Sequence, residues 1–259
     1  MKHNGYNYTI GSISVQGFSH IDKNIPCQDS TSYKINKKKQ IIAALSDGAG
    51  SAALSHLGSK AFVEEVTSRL IKYLDKNQYD PINIKKQLII EVNNIKSELI
   101  NNCENSENNS ISDFAATLLL IIIDNNKGVI FHIGDGAAAI YVQKSIEDAL
   151  ISLPENGEYA NETFFVTQEM WEEKLRMTIF DFDYDSILLM SDGVTPMAMQ
   201  KGCHKLFNNF VNPVVDYLRK NNAKKNKKAL LQTLSNENIK SITGDDKSLV
   251  WILRNKIEA

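Results

Sequence analysis

The chain has 259 residues, 42% of them hydrophobic and 23% charged, with a formal net charge of −2. That balance describes a soluble globular protein with a sizeable core and gives no sign of a general polyanion binder, so nucleic acid is not an expected partner. The longest purely apolar run, 118–123, is too short to span a bilayer, and the first residues lack the apolar centre of a signal peptide, so a cytoplasmic protein away from membranes is expected. Cys27, Cys103 and Cys203 are scattered without a CxxC pair, which predicts neither a disulfide framework nor a thiolate zinc site.

In chain order, the apolar run 41–45 predicts a strand, and helical spacing follows over 53–74 and 83–101. Residues 101–109, rich in Asn, Glu and Ser, predict a polar loop. The run Leu118-Leu119-Leu120-Ile121-Ile122-Ile123 has no polar alternation, so the strand 117–123 is expected to be covered on both faces. Asp124-Asn125-Asn126-Lys127-Gly128 then reads as a hairpin connection into a strand at 129–133. Further strands are predicted at 137–142, 186–190 and 248–253, with helices at 206–220 and 227–234 and an irregular stretch at 153–185. Helices grouped between antiparallel strands indicate an α+β protein, expected as a single domain over 1–259.

Carboxylates mark the ends of these runs. Asp47 follows Ile41-Ile42-Ala43-Ala44-Leu45-Ser46, Asp192 follows Ile187-Leu188-Leu189-Met190-Ser191, Asp29 stands in Cys27-Gln28-Asp29-Ser30, and Asp245 opens Asp245-Asp246-Lys247-Ser248 before the last strand. Any one Asp-Gly step is an ordinary turn signal. Several carboxylates directed into one region are costly to desolvate without cations, and hard divalent ions with oxygen ligands are their natural partners. Two such ions suit phosphoryl chemistry.

The ordered set resembles the metal-dependent protein phosphatases of the type 2C family. Gln28-Asp29-Ser30 is similar to the family's first acidic motif and Ser46-Asp47-Gly48-Ala49-Gly50-Ser51 to its Asp-Gly loop. Phe114-Ala115-Ala116-Thr117-Leu118 with His132-Ile133-Gly134-Asp135-Gly136 resembles its central hairpin. Leu189-Met190-Ser191-Asp192-Gly193-Val194 resembles its Ser-Asp-Gly motif, and Asp245-Asp246-Lys247-Ser248-Leu249 its terminal Asp-Asn-x-Thr motif. The resemblance implies a four-layer α-β-β-α sandwich, in which two antiparallel sheets pack face to face with helices outside. It implies hydrolysis of phosphoserine and phosphothreonine monoesters by water that two Mn²⁺ or Mg²⁺ ions activate, with phosphoproteins as substrates and a cognate Ser/Thr kinase as counterpart. Asp47 would bridge the ions, the Gly48 carbonyl would join it, Asp192 and Asp245 would hold one ion, and Asp29 would act directly or through water. Asp113 is the candidate ligand for a third ion, Asp135 supports its turn, and 153–185 takes the place of the family's variable flap. In that flap Glu158-Tyr159-Ala160-Asn161-Glu162-Thr163 and Met170-Trp171-Glu172-Glu173 offer groups to a protein partner, Trp171 alternatively capping the core.

Three positions depart from the family pattern. Gln28 replaces a glutamate, Ala49 stands where some members carry a histidine proposed as the acid, and Asn24 lies where an arginine binds phosphate. His20, in Gly17-Phe18-Ser19-His20, is the candidate substitute for that arginine, with a surface histidine as the competing reading. His132 reads as a hydrogen-bonded core residue and His56 as a solvent-facing one. The departures leave room for a second function, a weakly active or inactive phosphoprotein-binding module on the same fold. Asp181-Phe182-Asp183-Tyr184-Asp185 imitates an EF-hand but has Ser186 at the glycine position, and the lysine clusters at 37–39 and 224–228 read as solvated surface.

Overall fold

A computed structural model describes residues 2–3, 6–102, 110–154, 163–200 and 205–256. Strands β1 (Lys2–His3) and β2 (Tyr6–Val15) precede the short helix α1 (Phe18–Lys23). The hairpin β3 (Ser30–Ile35) and β4 (Ile41–Ser46) leads to the long helices α2 (Ser55–Lys76) and α3 (Pro81–Asn102). Next come β5 (Leu118–Asp124), β6 (Lys127–Ile133), β7 (Ala137–Tyr141), β8 (Leu150–Ser152), α4 (Trp171–Lys174), β9 (Arg176–Asp181) and β10 (Ser186–Met190). Helices α5 (Thr195–Ala198), α6 (Asn208–Lys220), α7 (Ala223–Leu234) and α8 (Glu237–Lys240) lead to β11 (Lys247–Lys256).

These elements form two compact units, one of Met1–Cys27, Gly136–Pro154 and Phe182–Ala259, the other of Gln28–Asp135 and Glu155–Asp181. The second unit holds a five-stranded antiparallel sheet in the order β3-β4-β5-β6-β9. Alternate residues of its strands, Ile42 and Ala44, Leu118, Leu120 and Ile122, Val129, Phe131 and Ile133, share one core with α2 and α3. The helices meet it at 3.6-residue spacing, through Phe62, Val66, Leu70 and Leu74 and through Ile84, Leu88, Val92 and Ile95. The intervening residues Leu119, Ile121 and Ile123 are equally buried, so β5 is covered on both faces as its unbroken apolar run predicts. Lys38, exposed as expected, donates to the carbonyls of Leu74 at 2.8 Å and Asn77 at 3.2 Å and so caps the C-terminal end of α2.

The first unit holds a six-stranded antiparallel sheet, β1-β2-β11-β10-β7-β8. Ala137, Ala139, Tyr141, Leu188, Met190, Leu249, Trp251 and Leu253 pack from this sheet against Val211, Val215 and Leu218 of α6 and Leu230 of α7. Arg254 is buried, with its guanidinium 3.7 Å from the centre of the Tyr184 ring and 4.5 Å from that of Tyr6, and it pairs with Asp183 at 2.6 Å. Arg219 pairs with Asp185 at 2.8 Å. Two of the three aspartates that imitate an EF-hand, Asp183 and Asp185, are thus ion-pair partners of arginines.

Both sheets are antiparallel and each carries helices, which is the α+β organisation read from the sequence. The irregular stretch at 153–185 needs correction, because it contains β9, paired with β6 along its length, and α4, whose Trp171 lies in the core. Polarity hid β9: as an edge strand it leaves Thr178, Ile179 and Asp181 half-buried or exposed. β2 and β3 also went unpredicted. β2 is rich in Tyr, Asn, Thr and Ser, and β3 is an edge strand exposed over its second half. Residues 158–162 of the proposed recognition segment, Cys103 and Cys203 lie outside the described residues.

Candidate functional site

In the second unit, β4 runs out at Ser46, and Asp47 and Gly48 follow at the strand's end. Thr117, just before β5, holds this step. Its Oγ1 accepts the Asp47 N–H at 2.9 Å, its own N–H donates to the Asp47 carbonyl at 2.8 Å, and its carbonyl accepts the Ser46 hydroxyl at 2.5 Å. Gly48 bridges Ala116 and donates its N–H to the Gln28 carbonyl at 3.2 Å, which sets Asp29 beside the loop. A Cβ at Gly48 would come within 2.8 Å of the Ser55 side chain and 2.9 Å of the Gln28 carbonyl, so the close crossing of these segments requires glycine. Asp29 is buried and Asp47 half-buried. Asp113 occupies a 3₁₀ turn, where its carboxylate accepts the Ser110 N–H at 2.8 Å in a capping box. Asp135 accepts the Thr163 hydroxyl at 2.7 Å.

In the first unit the same device recurs. β10 ends at Met190, and Ser191 is stitched to Ser248 by two bonds, Ser191 N–H to the Ser248 carbonyl at 3.0 Å and Ser248 N–H to the Ser191 Oγ at 2.9 Å. Asp192 follows, its carbonyl accepting the Thr195 hydroxyl at 3.0 Å. A Cβ at Gly193 would lie 1.8 Å from the Asp246 carbonyl oxygen, so Asp192 is brought to the Asp245-Asp246 segment by a contact only glycine permits. Asp245 is exposed; its carboxylate accepts the Asp246 N–H at 2.8 Å, and its carbonyl accepts the fully buried Lys247 ammonium at 2.7 Å. His20, on α1, reaches the same segment through Asp246, with its Nδ1 2.9 Å from Oδ2.

The structure therefore brings Asp29, Asp47 and Gly48 together in one unit, and Asp192, Asp245 and His20 together in the other. Sequence reading missed Thr117, Asp246 and Lys247 as supports. Among the described residues no group of three or more His, Cys, Asp or Glu side chains stands ready to hold a metal ion. The donors that these loops present are carboxylate and carbonyl oxygens, a set whose chemistry fits hard divalent cations.

His132, as expected, is a core residue. It is fully buried on β6, and its Nδ1 lies 2.9 Å from the guanidinium of its cross-strand neighbour Arg176. Burial, reinforced by the Arg176 charge, holds its pKa well below the usual histidine value.

A family model described as protein phosphatase 2C matches residues 16–235. The chain belongs to the protein phosphatase 2C family. The phosphatase is 28% identical over 191 residues to serine/threonine-protein phosphatase 3 of Escherichia coli (strain K12), an alignment covering 72% of this chain and 73% of that one. Among solved structures, a bacterial serine phosphatase aligns over 98% of the phosphatase and 100% of its own chain, at 15% identity and a TM-score of 0.63. RsbX in complex with magnesium aligns over 98% of each chain, at 14% identity and a TM-score of 0.57. The phosphatase shares their fold, two antiparallel sheets with flanking helices. It is a metal-dependent protein phosphatase of the serine/threonine class. Among the described residues no helix is long and apolar enough to cross a membrane.

Proposed function

We propose that the phosphatase uses two Mn²⁺ or Mg²⁺ ions, with Asp47, the Gly48 carbonyl, Asp29, Asp192 and Asp245 as ligands and Asp113 as a candidate for a third ion. The observation that carries this reading is the repeated arrangement at β4 and β10. In each, a buried strand delivers an aspartate into an Asp-Gly step; Thr117 bonds the Asp47 backbone in one, and in the other Ser248 bonds the preceding Ser191 while Thr195 bonds the Asp192 carbonyl. Fixed backbone leaves the carboxylates pre-oriented, which lowers the cost of gathering like charges.

Bound divalent cations supply water activation and charge neutralisation for in-line displacement at phosphorus. The chain's own contribution is placement. Thr117 fixes Asp47, Ser191 and Thr195 hold the strand end that carries Asp192, and Lys247 braces the Asp245 backbone. His20 serves as the phosphate donor in place of the missing arginine. Magnesium in the complex of RsbX supports the choice of a hard cation. Phosphoserine or phosphothreonine proteins in the cytoplasm, phosphorylated by a cognate kinase, are the proposed substrates. Assaying a phosphothreonine peptide with and without Mn²⁺ after stripping bound metal tests this reading, and full activity of the stripped protein in excess chelator overturns it.

A further inference from the structure

We propose that the groove between α6, α7 and α8 docks an acidic segment of a partner protein, which seats apolar side chains between the helices and carboxylates against the lysines at the start of α7. This role lies wholly within the first unit and does not depend on which residues hold metal.

The groove has a volume of about 780 Å³, room enough for several side chains of a docked segment. Its floor is apolar: Leu218, Leu230 and Ile239 are buried, and Phe210 and Val214 are only partly covered. On its α7 wall stand the small residues Ala229 and Thr233, and on its rim Tyr217 is 43% exposed. Apolar surface held open to water in this way is surface that association covers favourably. The walls are held apart by a fixed hinge, because the buried Asn226 donates to the Leu218 carbonyl at 2.9 Å and to the Asn221 carbonyl at 3.2 Å where the two helices join.

Charge names the occupant. Within its first six residues α7 carries Lys224, Lys225, Lys227 and Lys228, all exposed. That end of a helix is already the positive pole of its peptide dipoles, and no acidic residue in the first turn offsets it. Lys224 and Lys228 stand four residues apart, and Lys224–Lys227 and Lys225–Lys228 three apart, so like charges repel across a single turn. Among the described residues none of the four lysines forms an ion pair, and no Asp or Glu lines the groove. Lys225 lies one turn before Ala229 and Lys228 one turn before Gln232, so both ammonium groups stand on the stripes that line the groove. The opposite end is bordered by the amides of Asn209, Asn236 and Asn238. A cationic end and a neutral amide end give the groove a direction, with the partner's carboxylates toward the α6–α7 turn. Concavity favours a protein segment over a lipid surface, and the apolar floor favours it over nucleic acid.

The test pans a phage library of short random peptides on the intact protein, with counter-selection on the double variant Lys225→Glu, Lys228→Glu. Both positions are exposed and lie outside the proposed ligand set, so the variant should hydrolyse an aryl phosphate as wild type does and melt at or above the wild-type temperature. Enriched peptides are expected to be acidic, with apolar residues three or four apart. The most enriched peptide, labelled with fluorescein and followed by anisotropy, should bind wild type with an affinity that falls as salt is added. Its Kd should rise roughly tenfold in the double variant and by a similar factor in Thr233→Trp, which fills the groove and leaves the charge alone. A version of the peptide with Lys at each acidic position should bind the double variant and not wild type. Failure to enrich any peptide, enrichment of basic or uncharged ones, or binding that ignores Thr233→Trp overturns the proposal. So does tighter binding of phosphatidylglycerol vesicles or duplex DNA that is lost in the double variant, which would make the surface a membrane or nucleic-acid face. A dimer in sedimentation that the same substitutions dissolve overturns it in favour of a second copy of the chain.

Discussion

Thr117 grips Asp47 by its backbone from both directions, accepting the Asp47 N–H on its hydroxyl at 2.9 Å and returning its own N–H to the Asp47 carbonyl at 2.8 Å. The hydroxyl is nearly inaccessible, so the Asp47 amide has this oxygen rather than bulk water as its acceptor. Thr117→Val keeps the shape and removes the acceptor. It should cost about 1–3 kcal/mol in denaturant unfolding and raise the Mn²⁺ concentration needed for half-maximal activity, while Thr117→Ser recovers most of both.

Replacing the carboxylates tests their chemistry without changing their size. Asp47→Asn and Asp192→Asn should each lower kcat by orders of magnitude at saturating metal, with melting temperatures close to wild type. Turnover near wild type in either variant would show that the residue is not a ligand.

His132 makes stability depend on pH in a definite direction. Its folded pKa is depressed by burial, so below about pH 6.5 the unfolded chain binds a proton that the folded protein resists. Its contribution is complete above that value and is lost as pH falls toward the folded pKa, by at most about 1.4 kcal/mol per pH unit. Denaturation of wild type and His132→Gln at pH values on either side should show a shallower slope in the variant; equal slopes would remove His132 as the source.

Trp171 lies in the core beside α3, its indole N–H donating to Asn93 at 3.3 Å, so it is an anchor and not a recognition residue. Trp171→Ala should destabilise the protein by about 3–5 kcal/mol. A loss confined to phosphoprotein substrates, with stability unchanged, would restore the recognition role.

The sequence made the central strands legible because β4, β5, β6 and β10 are built on short, mainly apolar runs bounded by polar or turn residues, the mark of strands buried on both faces. β3 and β9 stayed hidden for the opposite reason: an edge strand keeps polar residues against solvent, and its pairing is invisible without its neighbour. The aspartates were legible by their position after those runs. Their supports were not. Gly17 and Asp246 are 229 positions apart and Asp47 and Thr117 are 70 apart, and no local pattern encodes such bonds.

The pairing of β2 with β11, in register from Tyr6 opposite Lys256 to Val15 opposite Lys247, bears on how the protein is made. β2 leaves the ribosome long before its partner, so until β11 is made it waits with an open edge. Residues 28–135, by contrast, contain four of the five strands of their sheet and both long helices, and can assemble while synthesis continues. Asp192 reaches its neighbours in the Asp245-Asp246 segment only when the last strand arrives. On the proposed ligand set, a nascent phosphatase stays inactive by chain order alone until β11 has been made.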